Sequence, residues 1–142
     1  MRVVLGADER TSLTDFLAAE LRARGHDVAL VGPPGGEVME WAEVGRSVGE
    51  RVARGGADTA VLCCWTGTGA SIAANKVPGV RAALCTDAAS AAGARRWNDA
   101  NVLVMSLRLT SEPVAGEMLD AWFATGPDPA EQANIDRLEP GG

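Results

Sequence analysis

The stretch from Val61 to Lys76, Val-Leu-Cys-Cys-Trp-Thr-Gly-Thr-Gly-Ala-Ser-Ile-Ala-Ala-Asn-Lys, constrains the fold more than any other part of this chain. An apolar run enters two adjacent thiols, then a Thr-Gly-Thr-Gly turn, then a helical stretch. A buried strand feeding a Gly-rich turn that opens a helix aims unpaired backbone N–H groups at one point. That point suits a phosphate, a carboxylate or an enediolate oxyanion. Cys64 on the rim of such a turn adds a nucleophile or a base, and a helix N-terminus lowers a thiol pKa. The stretch therefore reads as a small-molecule site with acid/base or nucleophilic chemistry.

The rest of the chain repeats the alternation of apolar runs and helical stretches, the pattern of a parallel sheet wrapped by helices. Strands are expected over 2–7, 27–31, 59–63, 80–85 and 102–106. Helices are expected over 11–24 (stopped by Gly25), 40–54, 71–76, 88–97 and from a Ser111 cap to 123, with one further short helix near 130–138. Five strands joined by right-handed crossovers give a doubly wound α/β domain. Ligands on such sheets bind outside the carboxyl ends of the strands. Asp8, Cys64, Asp87 and Arg108 all fall just past expected strand ends, so the polar groups are expected to converge on one edge.

At 142 residues the chain is one domain of ordinary globular composition, with 46% hydrophobic and 23% charged residues. A net charge of −6 argues against nucleic acid or an anionic membrane surface as a partner. No apolar run is long enough to span a bilayer, and the first residues carry no secretory pattern. Three cysteines, two of them adjacent, form no disulfide framework and fit a reducing, cytoplasmic setting. No metal-ligand spacing is present and no cofactor is implied; His26, the single histidine, lies far in sequence from the thiols. Strand alternation points Cys63 away from Cys64, so Cys63, like Cys85, reads as a small hydrophobe.

Cys64 to Lys76, followed by Val77-Pro-Gly-Val-Arg-Ala-Ala-Leu-Cys85 and Asn98-Asp-Ala-Asn-Val-Leu103, resembles the ribose-5-phosphate isomerase B family, which includes the galactose-6-phosphate isomerase subunits. The likeness runs from Val3-Val-Leu-Gly-Ala-Asp8 to Ile135-Asp-Arg137. It implies a Rossmann-like three-layer sheet of five parallel strands over 1–126. It also implies a C-terminal helical tail over 127–142 that docks on a partner subunit in a homodimer or dimer of dimers. The implied activity is aldose–ketose isomerisation of a sugar or sugar phosphate through a cis-enediolate. Cys64 is then the base, with Thr66 beside it in the catalytic turn. The N–H groups of Thr66, Gly67, Thr68 and Gly69 would hold the enediolate oxygen, each worth roughly 3–4 kcal/mol of barrier. Asp8 and Asn98 correspond to residues that bind sugar hydroxyls, and Arg108 to a substrate-side arginine.

The chain also departs from that pattern. Where the family opens with Asp-His-Ala-Gly, this sequence has Asp8-Glu9-Arg10-Thr11, so Glu9 replaces a histidine at the substrate. Trp97 stands where a ring-opening histidine precedes Asn98. Ala133 and Asn134 occupy positions of the phosphate-clamping arginines, with Arg137 where a lysine is common. Glu37-Val-Met-Glu-Trp-Ala42 replaces a Tyr-containing segment, and Trp65 replaces a glycine. A phosphate would meet Glu9 and Glu131 in place of arginine, and like charges repel. Trp65 and Trp97 add flat apolar walls that suit sugar faces. The expected substrate is therefore atypical or non-phosphorylated; an open-chain tetrose needs no ring-opening acid. Two other readings stand beside the isomerase. One is a non-catalytic sugar-binding or regulatory subunit of a hetero-oligomeric isomerase. The other uses Cys64 as a covalent nucleophile on an acyl or aldehyde group.

Overall fold

The structure is a computed structural model, and it describes residues 1–139. Five strands, β1 (Arg2–Ala7), β2 (Asp27–Val31), β3 (Thr59–Cys64), β4 (Ala82–Leu84) and β5 (Val102–Ser106), form one all-parallel sheet in the order β2-β1-β3-β5-β4. The helices are α1 (Ser12–Ala23), α2 (Trp41–Ala53), α3 (Thr68–Asn75), α4 (Ala88–Asn98), α5 (Glu112–Ala124) and α6 (Gln132–Asp136). The three-layer, Rossmann-like α/β architecture is the one expected. No helix among the described residues is long and apolar enough to cross a membrane.

Strand alternation divides the interior into two cores. Val3, Leu5, Val61, Cys63, Leu103 and Met105 face α1, α4 and α5, whereas Val4, Leu62, Cys64, Val102 and Val104 face α2 and α3. The helices change face because the chain reverses its direction of travel across the sheet, and each crossover must stay right-handed. The first reversal lies between β1 and β3, and it opens the crevice between Asp8 and Cys64. On the α2/α3 side the two helices approach closely. A Cβ at Gly45 would sit 2.7 Å from the Ala70 carbonyl oxygen and 2.8 Å from the Ala73 Cβ.

Local signals explain the element ends. Thr11 caps α1: its hydroxyl accepts from the Thr14 N–H at 3.3 Å, while the Thr14 hydroxyl accepts from the Thr11 N–H at 2.9 Å. Asp87 caps α4 in the same way, accepting from the Ser90 N–H at 2.7 Å; that bond holds its carboxyl below the usual range. Asp87 thus caps a helix that starts at the carboxyl edge. The observed β3 takes in Cys64, and α3 begins at Thr68, three residues before the expected Ser71. β4 is shorter than expected, covering 82–84 of the expected 80–85. Its open edge is closed by the Asn75 amide, which donates to the Ala82 carbonyl at 2.9 Å and accepts from the Ala82 N–H at 2.7 Å.

The tail is a 3-10 turn over Pro129–Glu131 followed by α6, where a single helix over 130–138 was expected. Its described part packs on its own chain. The Asp128 N–H donates to the Arg96 carbonyl at 2.8 Å, Ile135 is buried, and the Glu139 carboxylate accepts from the Gly79 N–H at 3.1 Å. Residues 140–142 of that tail lie outside the described residues.

Candidate active site

Cys64 is the last residue of β3, and the chain after β5 fixes its position. The Leu107 N–H donates to the Cys64 carbonyl at 3.0 Å. The Trp65 carbonyl accepts from the Arg108 N–H at 3.0 Å and from the Ser106 hydroxyl at 2.9 Å. Ser106 pairs with Cys64 in the parallel register and is itself buried, so the two strand ends are locked together. The Cys64 side chain lies on the α2/α3 side and retains 5% exposure. Its neighbour Cys63 is fully buried on the opposite face. Burial first, then the charges of Cys64 and Asp8, push that thiol up to about 12. Burial likewise pushes Cys85 up to about 11. The alternation that separates the two adjacent thiols is as expected.

The turn after Cys64 can be made only with glycine. Gly67 has φ +81°, and a Cβ there would stand 2.5 Å from Leu84 Cδ1 and 3.2 Å from the Met105 backbone. Gly67 caps α3, whose first bond runs from the Ser71 N–H to the Gly67 carbonyl at 3.1 Å. The N–H groups of Thr68, Gly69 and Ala70 precede that bond and have no acceptor within the helix. The hydroxyls of Thr66 and Thr68 meet at 2.8 Å on the exposed side of the turn. Gly69 lies directly under Trp41, the first residue of α2. A Cβ at Gly69 would meet three indole carbons at 2.7, 3.0 and 3.1 Å.

Asp8 follows β1, across the crevice from Cys64. Its Oδ1 is buried without a hydrogen-bond partner among the described residues. Burial raises its pKa, and the negative charges of Glu9 and Glu40 add to the rise against its own backbone N–H bond. Asp8, Pro33, Val38, Met39, Glu40 and Trp41 line a cavity of about 420 Å³. Glu9, Trp65 and Arg108 are exposed on this edge, and Arg108 has no ion-pair partner among the described residues. No three His, Cys, Asp or Glu side chains among the described residues converge in a way that could hold a metal ion.

Two expected site residues are not brought to this edge. A helix that follows a parallel strand runs back across the sheet, so α4 starts at the carboxyl edge and delivers its last residues, Trp97 and Asn98, to the amino edge. Asn98 there shares a cavity with Asn75, Arg81 and Leu138. The Trp97 indole folds onto Gly93 of its own helix, where an added Cβ would stand 2.7 Å from the ring. Glu131 ends the 3-10 turn of the tail, where its carboxylate accepts from the Asn134 amide at 3.0 Å. Within one chain, then, the expected site residues that lie at the carboxyl edge are Asp8, Glu9, Cys64, Trp65, Thr66, Gly67, Thr68, Gly69 and Arg108. Ser106, Glu40 and Trp41 also border this edge; Glu40 and Trp41 belong to the 37–42 segment that departs from the family pattern, and Ser106 ends β5. The signal for Trp41 was an aromatic residue opening a helix, which says nothing of the neighbour it covers.

Residues 3–139 match the family model described as Ribose/Galactose Isomerase. The chain belongs to this family. A solved ribose-5-phosphate isomerase B from Clostridium thermocellum superposes with a TM-score of 0.91 at 34% identity, covering 97% of this chain and 95% of that one. D-erythrulose-4-phosphate isomerase 2 of Mycolicibacterium smegmatis is 34% identical over 135 residues, 91% of this chain and 88% of that protein. The DNA damage-repair/toleration protein DRT102 of Arabidopsis thaliana is 37% identical over 128 residues, and this chain spans only 40% of its length. The family is one of sugar-phosphate isomerases, and the fold expected from the sequence is the family's fold.

Proposed function

We propose that this chain is an aldose–ketose isomerase that moves a proton between adjacent carbons of a short, open-chain sugar, with Cys64 as the base. The observation that carries this reading is Cys64 Sγ at the rim of a turn whose N–H groups have no internal acceptor, across a crevice from a partnerless carboxylate oxygen of Asp8. The Cys64 thiolate takes the proton from the carbon beside the carbonyl, leaving a cis-enediolate. The N–H groups of the 66–69 turn hold the enediolate oxygen, with the Thr66 and Thr68 hydroxyls as further donors. The thiol returns the proton to the neighbouring carbon, while the hydroxyl proton passes between the two oxygens. Asp8 and Arg108 bind the substrate hydroxyls, Trp65 walls the entrance, and Glu9 faces the far end of the sugar.

Trp97 and Asn98 complete such a site only when a second copy brings its amino edge to this carboxyl edge. A homodimer with exchanged Asn98 residues is part of the reading. The substrate follows from the same geometry. Trp97 supplies no ring-opening acid, and a four-carbon ketose has no five-membered ring to open. The relative named for D-erythrulose 4-phosphate belongs to that chemical class. The carboxylates of Glu9 and Glu40 favour a free hydroxyl over a phosphate at the end that reaches them.

Solvent-deuterium exchange followed by NMR tests the reading, with tetroses, pentoses and hexoses offered free and phosphorylated. Exchange into a tetrose that disappears in Cys64→Ala supports it. Silence across the panel overturns it and leaves the non-catalytic sugar-binding subunit.

A further inference from the structure

Trp41 stands between the Gly-rich turn and the Asp8 cavity at the carboxyl edge. Its indole rests on Gly69, within the first turn of α3, and the same side chain lines the cavity of about 420 Å³ that holds Asp8. Leu84 and the Met105 backbone press on Gly67 from another side, so the turn is held between packed groups. Trp41 is 47% exposed, so it closes no part of the core. Yet Gly69 has no positive φ to explain its glycine. What the glycine accommodates is the indole.

We infer that Trp41 is a specificity-determining residue that limits the length of the sugar the site accepts. This rests on the isomerase reading above. A substrate held by its first two oxygens on the 66–69 turn runs its remaining carbons along the indole toward Asp8. The ring separates the turn from the rest of the Asp8 cavity, so carbons beyond the fourth have no room. The flat face packs against the C–H face of the sugar, as aromatic rings commonly do in apolar contact. Removing the ring merges the turn with the cavity and admits a longer chain.

The experiment compares wild type, Trp41→Phe and Trp41→Ala as full-length proteins. One readout is the ratio of deuterium-exchange rates on five-carbon and four-carbon sugars, measured as free sugars and as terminal phosphates. The second readout does not need turnover: binding of ribonate and erythronate, whose carboxylates imitate the enediolate, followed by calorimetry. Trp41→Ala is expected to shift both ratios toward the five-carbon compound by about ten-fold or more, the discrimination typical of an added carbon in a packed pocket. Trp41→Phe, which keeps a ring, is expected to stay near wild type. Ratios in Trp41→Ala within about two-fold of wild type overturn the inference. If wild type exchanges no sugar at all, the isomerase reading fails, while the aldonate ratios still decide the role of Trp41.

Discussion

The two edges of the sheet are built on opposite plans. At the amino edge nearly every polar group is answered. Arg81 Nε donates to the Asp99 carbonyl at 2.8 Å, and Arg95 Nη1 donates to the Asp99 carboxylate at 2.9 Å and the Ala100 carbonyl at 2.6 Å. Asn101 bonds the Arg81 N–H at 2.7 Å and the Gly79 carbonyl at 3.0 Å. Deeper in, the Trp122 indole N–H donates to the Thr59 hydroxyl at 3.1 Å, and that hydroxyl donates to the Asn101 carbonyl at 3.0 Å. Asp99, at φ +45°, is held in the left-handed region by these contacts. At the carboxyl edge the helix N–H groups after Gly67, the buried Asp8 oxygen and the Arg108 guanidinium are left open. A closed network fixes the fold, and an open one is available to a ligand.

The two edges are expected to fail in different ways. Cys64→Ala removes the base from the open edge and little of the core, since Cys64 sits at its rim. Exchange on the best sugar is expected to fall about 100-fold or more, with the melting transition nearly unmoved. Iodoacetamide on the native protein then gives a second view: modification at Cys64 and none at Cys63 or Cys85 until unfolding, as read by peptide mass spectrometry. Labelling of Cys63 ahead of Cys64 would break the assignment of faces.

Thr59→Val strikes the closed edge. The shape is kept, but the buried Trp122 N–H loses its acceptor and the Asn101 carbonyl loses a donor. A destabilisation of about 1–3 kcal/mol is expected, read by thermal or urea unfolding. Exchange measured well below the transition should remain at the wild-type rate. A loss of activity with an unchanged melting point would reverse the roles of the two edges.

A smaller effect with a diagnostic sign comes from Gly69. Alanine in a helix ordinarily gains about 1 kcal/mol over glycine. Here the added methyl would meet the indole at 2.7 Å, so Gly69→Ala is expected to destabilise wild type. In a Trp41→Ala background the same change should stabilise. The coupling is read from the four melting curves of the double-mutant cycle. Equal effects in both backgrounds would show that the indole does not press on the turn.

Much of this was legible in the sequence. The ranges of β1, β2 and β5 follow from apolar runs bounded by glycine and polar residues, and strand alternation separates Cys63 from Cys64 without any structure. The expected start of α3 at Ser71 is late, because the true start is set by the left-handed Gly67, whose constraint comes from Leu84 and Met105. The expected β4 is long because Val80 and Cys85 are as apolar as a strand requires, yet the Val80 N–H bonds back to the Val77 carbonyl at 3.1 Å. Trp97 and Asn98 were assigned by resemblance to a site that their own crossover carries them away from. The 37–42 segment stands out in the sequence as a departure, but the contact Trp41 makes with Gly69 belongs to the packing of α2 on α3.

Asp8 gives the smallest effect and the one that joins stability to chemistry. Its folded pKa is raised above the ordinary 3.8, chiefly by burial, with Glu9 and Glu40 adding repulsion. The unfolded chain therefore ionises this carboxyl first. The stability it contributes is fully present below that ordinary value and is lost as pH rises through the folded pKa. At neutral pH the ionised carboxylate, with one buried oxygen unpartnered, opposes folding. Asp8→Asn is expected to raise the melting temperature slightly at pH 7 and to lose that advantage in acid, while exchange on the sugar drops. A closed-edge carboxylate such as Asp58, held below the ordinary range by the Arg2 N–H and guanidinium, should behave in the opposite sense. A lower melting temperature for Asp8→Asn at pH 7 would mean that Asp8 supports the fold, and the contrast between the edges would lose its clearest member.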